Sequence, residues 1–444
     1  MAKMATGRRD DLDAQARRIL HANDRGGYTV PNPHVYPFQW NWDSAFVALG
    51  WQEIDSHRAW RELQTLFAAQ WEDGFLPHIV FWQQDPGYFP GPDVWRVKRA
   101  PATSGITQPP VAASVVRWMW ERQGSAADMV VADLYPRLLA WHRWFRRARD
   151  PEGFGLPLII HPWESGRDNS VEWDAPGEAV DTSAIEPYER RDITKLEHGM
   201  RPTKRDYDRY LALLQFGRDK GWDQRVIAAE GPFRVIDFGL AAIFLRAERD
   251  LAVIAERLGR TEEAAETRSS VARAETAMQR LWQEDPGAFC SLDLRTGAPV
   301  RVITNASFLA FYAGIGNARQ RGRLIAHLED IAAHCRFVVP SLDPRHEAFD
   351  PLRYWRGPVW AVVNFLIARG LEETGYGRWA ERIRLDTASL IRKTGFFEAF
   401  SPIDGAASGG ADFSWTAAIW LAWAGRTPEH RQDAARASRQ ADGA

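Results

Sequence analysis

VIDFGLAAIFLRAERDLAVIAERL (235–258), followed after two residues by TEEAAETRSSVARAETAMQRLWQ (261–283), decides the fold of this chain. Wound as a helix, the first segment is apolar nearly all round, and such a helix must be enclosed by protein. The second is rich in Arg, Glu and Ala and carries a single apolar face, so it belongs at a surface. Together they predict an αα-hairpin with one helix inside and one outside.

The same alternation runs along the whole chain. Apolar segments of the inner kind stand at 43–54, 109–121, 235–258, 304–314, 357–372 and 414–424. Amphipathic segments of the outer kind stand at 8–22, 56–71, 126–148, 261–283, 316–334 and 376–394; in the first, Leu12, Ala16, Ile19 and Leu20 share a face. Strand-like alternation is hard to find. Six inner and six outer helices predict an all-α fold, an (α/α)6 barrel spanning 1–444 as one catalytic domain. Each inner helix follows an aromatic- or Pro-rich loop: FQWNWDS, SGITQPPV, PFRVIDF, VITNAS, YWRGPVW and GADFSWTAA. These six loops must meet at one end of the barrel, where functional residues are expected. One spacing breaks the rhythm. Residues 150–230, rich in Pro, Gly, Trp and charge, with a helix of their own at 205–220, are too long for a plain connection and predict a lid over that end. The tail from Arg426 is polar and expected to fray.

Composition excludes several classes of function. A net charge of −2, with Lys and Arg interleaved among Asp and Glu, argues against nucleic acid and anionic membranes as partners. Two cysteines, Cys290 and Cys335, exclude a disulfide framework and suit a reducing cytoplasm. No apolar run reaches the roughly 18 residues of a membrane span, and the start, MAKMATGRRDDLDAQARRIL, has no signal-peptide core. The 11 histidines include no HExxH or paired spacing and the cysteines no CxxC, so neither a metal nor another cofactor is expected. Assembly into a homo-oligomer is compatible with the sequence.

The chain has 21 tryptophans. Some must fill the core, but many cluster in loops with Pro, Gly and Asp: YPFQWNWDSAF (36–46), HPWESGRDNSVEWD (161–174) and YWRGPVW (354–360). An indole face packs against the apolar face of a pyranose while its N–H stays free to donate, so these loops predict a site for a small sugar. Glycoside hydrolysis needs two carboxyl groups. Acids embedded among aromatics in barrel-end loops reduce to Asp43, Glu164, Asp168, Asp174 and Glu398. Asp43 could instead cap the helix that follows it. Glu398, in GFFEAFSPIDG, has the apolar surroundings that raise a carboxyl pKa.

HPWESGRDNSVEWD resembles the acid-bearing loop of glycoside hydrolase family 63, which includes bacterial mannosylglycerate and glucosylglycerate hydrolases. QWNWDSAF, GITQPP, YWRGPVW and FFEAFSPIDG followed by FSWTAA resemble the same family in the same order, from about Tyr36 to Trp423. The resemblance implies an (α/α)6 barrel that hydrolyses α-linked sugars with inversion. By motif, Asp168 is the general acid and Glu398 the base that activates water, with carboxyls roughly 6.5–9.5 Å apart. Trp40, Trp42, Asp43, Gln108 and Trp163 would hold the sugar ring, with Trp355, Arg356 and the Trp415 of FSWTAA beside it.

A bare barrel has no room for the β-rich domain of glycan-trimming members, which favours glucosylglycerate or mannosylglycerate as substrate. A glycerate carboxylate requires a cation and hydroxyl donors. GMRPTKRDYDRY (199–210) offers Arg201 and Tyr207, and Tyr36, Tyr88 and Tyr354 are further donors. The GGAD before FSWTAA departs from the family pattern in a region of substrate contacts. Three alternatives stand beside this reading. One is an α-glucosidase of the same family acting on another oligosaccharide. The second is an (α/α)6 polysaccharide lyase using His78 or His161, and the third a sugar-binding protein without catalysis.

Overall fold

The computed structural model describes residues 2–426. Helical turns stand at all twelve expected places. The inner set is Asn41–Gln52, Ala112–Gln123, Phe238–Arg257, Leu309–Tyr312, Ala361–Glu373 and Ser414–Ile419. The outer set is Ala2–Asn23, Ser56–Ala68, Asp128–Ala148, Thr261–Gln279, Ala318–His334 and Gly377–Thr394. Each inner helix packs on the next and the sixth packs on the first, which closes the ring of an (α/α)6 barrel. The inner helices are buried over most of their length: Asn41–Trp51 is buried without a break, as is Ala361–Ala368. The tail beyond Arg426, expected to fray, lies outside the described residues. No described helix is long and apolar enough to cross a membrane.

Helix boundaries differ from the sequence reading for local reasons. The second inner helix starts at Ala112 rather than 109 because Pro109 and Pro110 precede it; proline lacks an N–H and restricts the residue before it. The fifth outer helix begins at Ala318 under an Asn317–Gln320 capping box. The inner segment 304–314 is the one that shortens most. It becomes a 3₁₀ turn, Asn305–Phe308, and one α-turn ending before Gly314 and Gly316, both at positive φ.

The sequence hid the strands. Among the described residues are four small sheets, with strands of two or three residues, too short to print an alternation. Two of them position the site. Gln39–Trp40, Ile79–Phe81 and Ala102–Thr103 form an antiparallel sheet that fixes the loop entering the first inner helix. Ala399–Phe400 pairs with Ala407–Ser408, which turns the chain immediately after Glu398. The 150–230 segment contributes the helix Lys204–Asp219, close to the expected 205–220 and started by a Thr203–Asp206 capping box. It lies over the end of the barrel marked by four of the six loops, those of Trp40–Asp43, Gln108, Tyr354–Trp355 and Phe413–Trp415, since its residues and theirs line one cavity.

Candidate active site

The cavity encloses about 880 Å³ of empty space, counting its solvent-open mouth. All the residues expected to act at a sugar site line it except Arg356: Tyr36, Trp40, Trp42, Asp43, Tyr88, Gln108, Trp163, Asp168, Arg201, Tyr207, Tyr354, Trp355, Glu398 and Trp415. Arg356 is a correction. Its guanidinium turns away and grips Asp174 with bonds of 2.9 and 2.5 Å. A bidentate pair of this kind satisfies both partners, which removes Asp174 from the candidate acids as well. Glu164 is removed for a similar reason. It is fully buried against Arg149 at 2.6 Å and accepts the backbone N–H groups of Thr107 and Ile160.

Three acids remain in the cavity. Asp43 is buried in the first turn of its helix, but the cap position belongs to Trp40, so the capping role does not apply. Burial and the neighbouring Glu398 hold its carboxyl well above the usual range. Asp168 is pushed up to about 7, chiefly by burial, against the opposing charge of Arg201 and a bond from Tyr354. Burial also raises Glu398, opposed by Arg201, the Gly410 N–H and Tyr36.

A row of hydroxyls joins the last two acids. Tyr354 Oη donates to Asp168 Oδ2 at 3.2 Å, lies 3.4 Å from Tyr36 Oη, and Tyr36 Oη donates to Glu398 Oε1 at 3.0 Å. These three links hold the carboxyl oxygens within about 10 Å of each other, a spacing that admits the water-separated geometry of inverting enzymes. Tyr354 reaches its place from a backbone at φ +32, a conformation costly for a residue with a Cβ. The acids themselves are held from behind. Tyr210 donates to the Asp168 carbonyl, Asn169 Oδ1 accepts the Trp355 N–H, and Trp415 Nε1 donates to the Glu398 carbonyl. Arg167, beside Asp168, is buried in ion pairs with Glu172 and Asp237, which ties the insertion to the third inner helix.

Aromatic walls surround the acids. Trp355 stacks on Trp360 at 3.7 Å, and Trp42 meets both Trp355 and Trp415. Gly166 makes this possible: a Cβ there would meet the Trp42 ring at 2.6 Å. Polar groups face inward between the rings. Trp40 Nε1 is buried without a partner, and Gln108 spends its Oε1 on the Trp42 N–H, which leaves its amide NH₂ toward the cavity.

Opposite the rings, Arg201 bonds to Tyr36 Oη at 3.0 Å and to Asp192 at 3.1 Å, with its charge 4.3 Å over the Tyr354 ring. Tyr207 and Tyr88 complete this side. Sequence reading missed Tyr210 and Asp192. Tyr210 had a signal, since it lies three residues after Tyr207 and so on the same helical face.

The histidines needed by a lyase are otherwise engaged. His78 sits 2.5 Å from Ser104 Oγ, and His161 takes the Trp163 N–H while facing the Tyr210 carbonyl. Burial lowers both, His161 to about 3, so they are neutral loop supports. Among the described residues no group of three or more His, Cys, Asp or Glu is placed to hold a metal ion.

Known proteins resemble this chain over most of its length. The family model of the mannosylglycerate hydrolase MGH1-like glycoside hydrolase domain matches residues 36–416. A mannosylglycerate hydrolase of Thermus thermophilus is 46% identical over 414 residues, 92% of this chain and 99% of that protein. A glucosylglycerate hydrolase of Mycolicibacterium hassiacum is 34% identical over 450 residues, 93% of this chain and 98% of that one. A crystal structure of a family 63 mannosylglycerate hydrolase from Thermus thermophilus with Tris and D-glycerate superposes with a TM-score of 0.90 at 45% identity, covering 93% and 99% of the two chains. With most of its length matched by the family model and by relatives well above 30% identity, this chain belongs to the MGH1-like glycoside hydrolases of family 63.

Proposed function

We propose that this enzyme hydrolyses an α-hexosyl glycerate, mannosylglycerate or glucosylglycerate, to hexose and glycerate with inversion. The observation that carries the reading is that Arg201 lines the same cavity as Asp168 and Glu398, bonded to the Tyr36 hydroxyl that donates to Glu398 and lying over the ring of the Tyr354 that donates to Asp168. A buried cation at the leaving-group side suits an aglycone that ends in a carboxylate. The hexose sits among Trp40, Trp42, Trp163, Trp355 and Trp415, with Asp43 and the Gln108 amide on its hydroxyls. Asp168, pushed up to about 7 and so still holding its proton in a substantial share of molecules near neutrality, gives that proton to the glycosidic oxygen as the bond to the anomeric carbon breaks. Glu398, ionised, takes a proton from a water that attacks the opposite face of that carbon. The relatives named for mannosylglycerate are more similar than the one named for glucosylglycerate, so mannosylglycerate is tested first. We assign the activity to the cytoplasm, because Cys290 and Cys335 are both free thiols.

Incubation with each glycoside, with free hexose and glycerate measured, tests the proposal. Proton NMR of the first product formed reads the stereochemistry, and the β-hexose is expected before mutarotation. Absence of glycerate release from both compounds refutes the substrate, and an initial α-hexose refutes the inverting mechanism.

A further inference from the structure

We propose that Asp192, in the insertion, is a positioning residue that aims Arg201 at the anionic end of the substrate and keeps it off the two acids. The inference rests on the glycerate reading above.

Arg201 has several partners to choose from. Its surroundings hold Asp192, Glu398, Tyr36 and Tyr354, and its charge also reaches Asp168. A buried guanidinium free to swing among three carboxyl groups would settle on whichever two were ionised. Direct contact with Asp168 would then favour the charged form of the group that must give a proton, and contact with either acid would occupy the donors needed by the substrate. Asp192 prevents this. Its Oδ2 accepts Arg201 Nε at 3.1 Å, and Arg190 grips both oxygens at 3.0 and 2.6 Å. Arg190 is itself pinned by the Pro202 carbonyl at 2.7 Å and lies 4.3 Å over the Tyr207 ring. Asp192 is therefore a fixed acceptor on a rigid mount. Burial alone would raise its carboxyl, but the hydrogen bonds and charges of the two arginines hold it below the usual range.

The geometry has a directional consequence. With Nε committed to Asp192 and Nη1 to Tyr36, Nη2 of Arg201 has no protein partner among the described residues, although the side chain lines the cavity. That leaves Nη2 as the group available to a ligand in the cavity the side chain lines. Two arginines and one aspartate leave the cluster with one net positive charge, so Asp192 orients the cation without cancelling it. A fixed fork loses less entropy on capturing a carboxylate than a mobile one.

The test uses Asp192→Asn and Asp192→Ala in the full chain, with Arg201→Ala as reference. D-glycerate binding to the free enzyme is read by calorimetry, and kcat and KM are read on mannosylglycerate and glucosylglycerate. We expect both Asp192 variants to weaken D-glycerate binding about tenfold or more and to raise KM in step. The kcat at saturation should stay within about threefold of wild type, because the acids keep their own supports. Loss of kcat with unchanged D-glycerate affinity would mean Asp192 only holds the insertion together, and unchanged binding in both variants would also overturn the proposal. If Arg201→Ala itself binds D-glycerate as wild type does, the glycerate reading fails. If Arg201→Ala loses binding and the Asp192 variants do not, the reading stands and the Asp192 proposal alone falls.

Discussion

Gly409→Ala should disable the base without unfolding the protein. Gly409 lies at φ +77, beside the carboxylate it supports. A Cβ built there stands 2.7 Å from Glu398 Cβ and 2.9 Å from Cδ, and nearer still to Oε2. Ordinary contact begins at 3.4 Å, so the Glu398 side chain must retreat by about 0.7 Å at its root and about 1 Å at its carboxylate. The Gly410 N–H bond to Oε2, 3.2 Å long, is then lost. A misplacement of about 1 Å at a reacting group costs roughly 100-fold in rate. The backbone conformation adds about 1–2 kcal/mol of instability for any residue with a Cβ. Gly26 separates the two effects: its φ is +81, and a Cβ added to it would meet nothing within 4 Å. Gly26→Ala should therefore show the stability loss alone. The assay is steady-state kcat on the hexosyl glycerate, with thermal midpoints for both variants. A Gly409→Ala enzyme whose kcat matches Gly26→Ala would refute the claim that this glycine seats the base.

Activity should fall as pH rises through about 7, where Asp168 loses the proton it must donate. Tyr354→Phe removes a bond that favours the ionised form, so the alkaline limb of its kcat/KM profile should move to higher pH; an unmoved limb would show that Asp168 is not the titrating acid. Stability is linked to the same group. Its folded pKa is raised above its unfolded one, so its contribution is fully present below about pH 4 and is lost as pH climbs through about 7. Asp168→Asn should accordingly be more stable than wild type at alkaline pH, by at most about 4 kcal/mol, with the gap closing in acid. A gap independent of pH in calorimetric scans would contradict the linkage. Glu164→Ala strands the buried Arg149 charge and should cost about 3–5 kcal/mol in denaturant unfolding. Its kcat per folded molecule should remain within about threefold of wild type, since Glu164 does not line the cavity.

The barrel was legible because burial is written as periodicity. Helices apolar all round, such as 235–258, have one physical explanation, and six of them alternating with amphipathic partners leave few architectures. The strands were illegible for the converse reason. Gln39–Trp40 and Ala399–Phe400 are pairs of residues whose partners lie elsewhere in the chain. Aromatic loops around acids marked the cavity correctly but could not rank its members. Arg356 and Trp355 are neighbours in YWRGPVW, yet Trp355 lines the cavity and Arg356 faces Asp174. That choice depends on an acid 182 residues away. Asp192 was invisible for the same reason, because its importance lies in what it holds.

The proton on Asp168 answers a problem that the substrate itself creates. An anionic aglycone must enter a cavity that already contains Asp43, Asp168 and Glu398, and the buried cation it meets there is Arg201. Were all three of these acids ionised, their charges would repel the aglycone and one another, and like charges at close range in a dry site are costly. Burial lifts Asp43 and Asp168 toward their neutral forms and so removes most of that repulsion before the substrate arrives. The same burial keeps on Asp168 the proton that the leaving oxygen needs. Anion binding and acid catalysis thus draw on one protonation state. The tyrosine row enforces it, because Tyr354 and Tyr36 hold the acid and the base apart while giving each a donor. Without Arg201, burial would raise Glu398 with less opposition, leaving less of it in the ionised form. In the proposed roles, the cation that meets the glycerate is also one that favours the ionised form of Glu398.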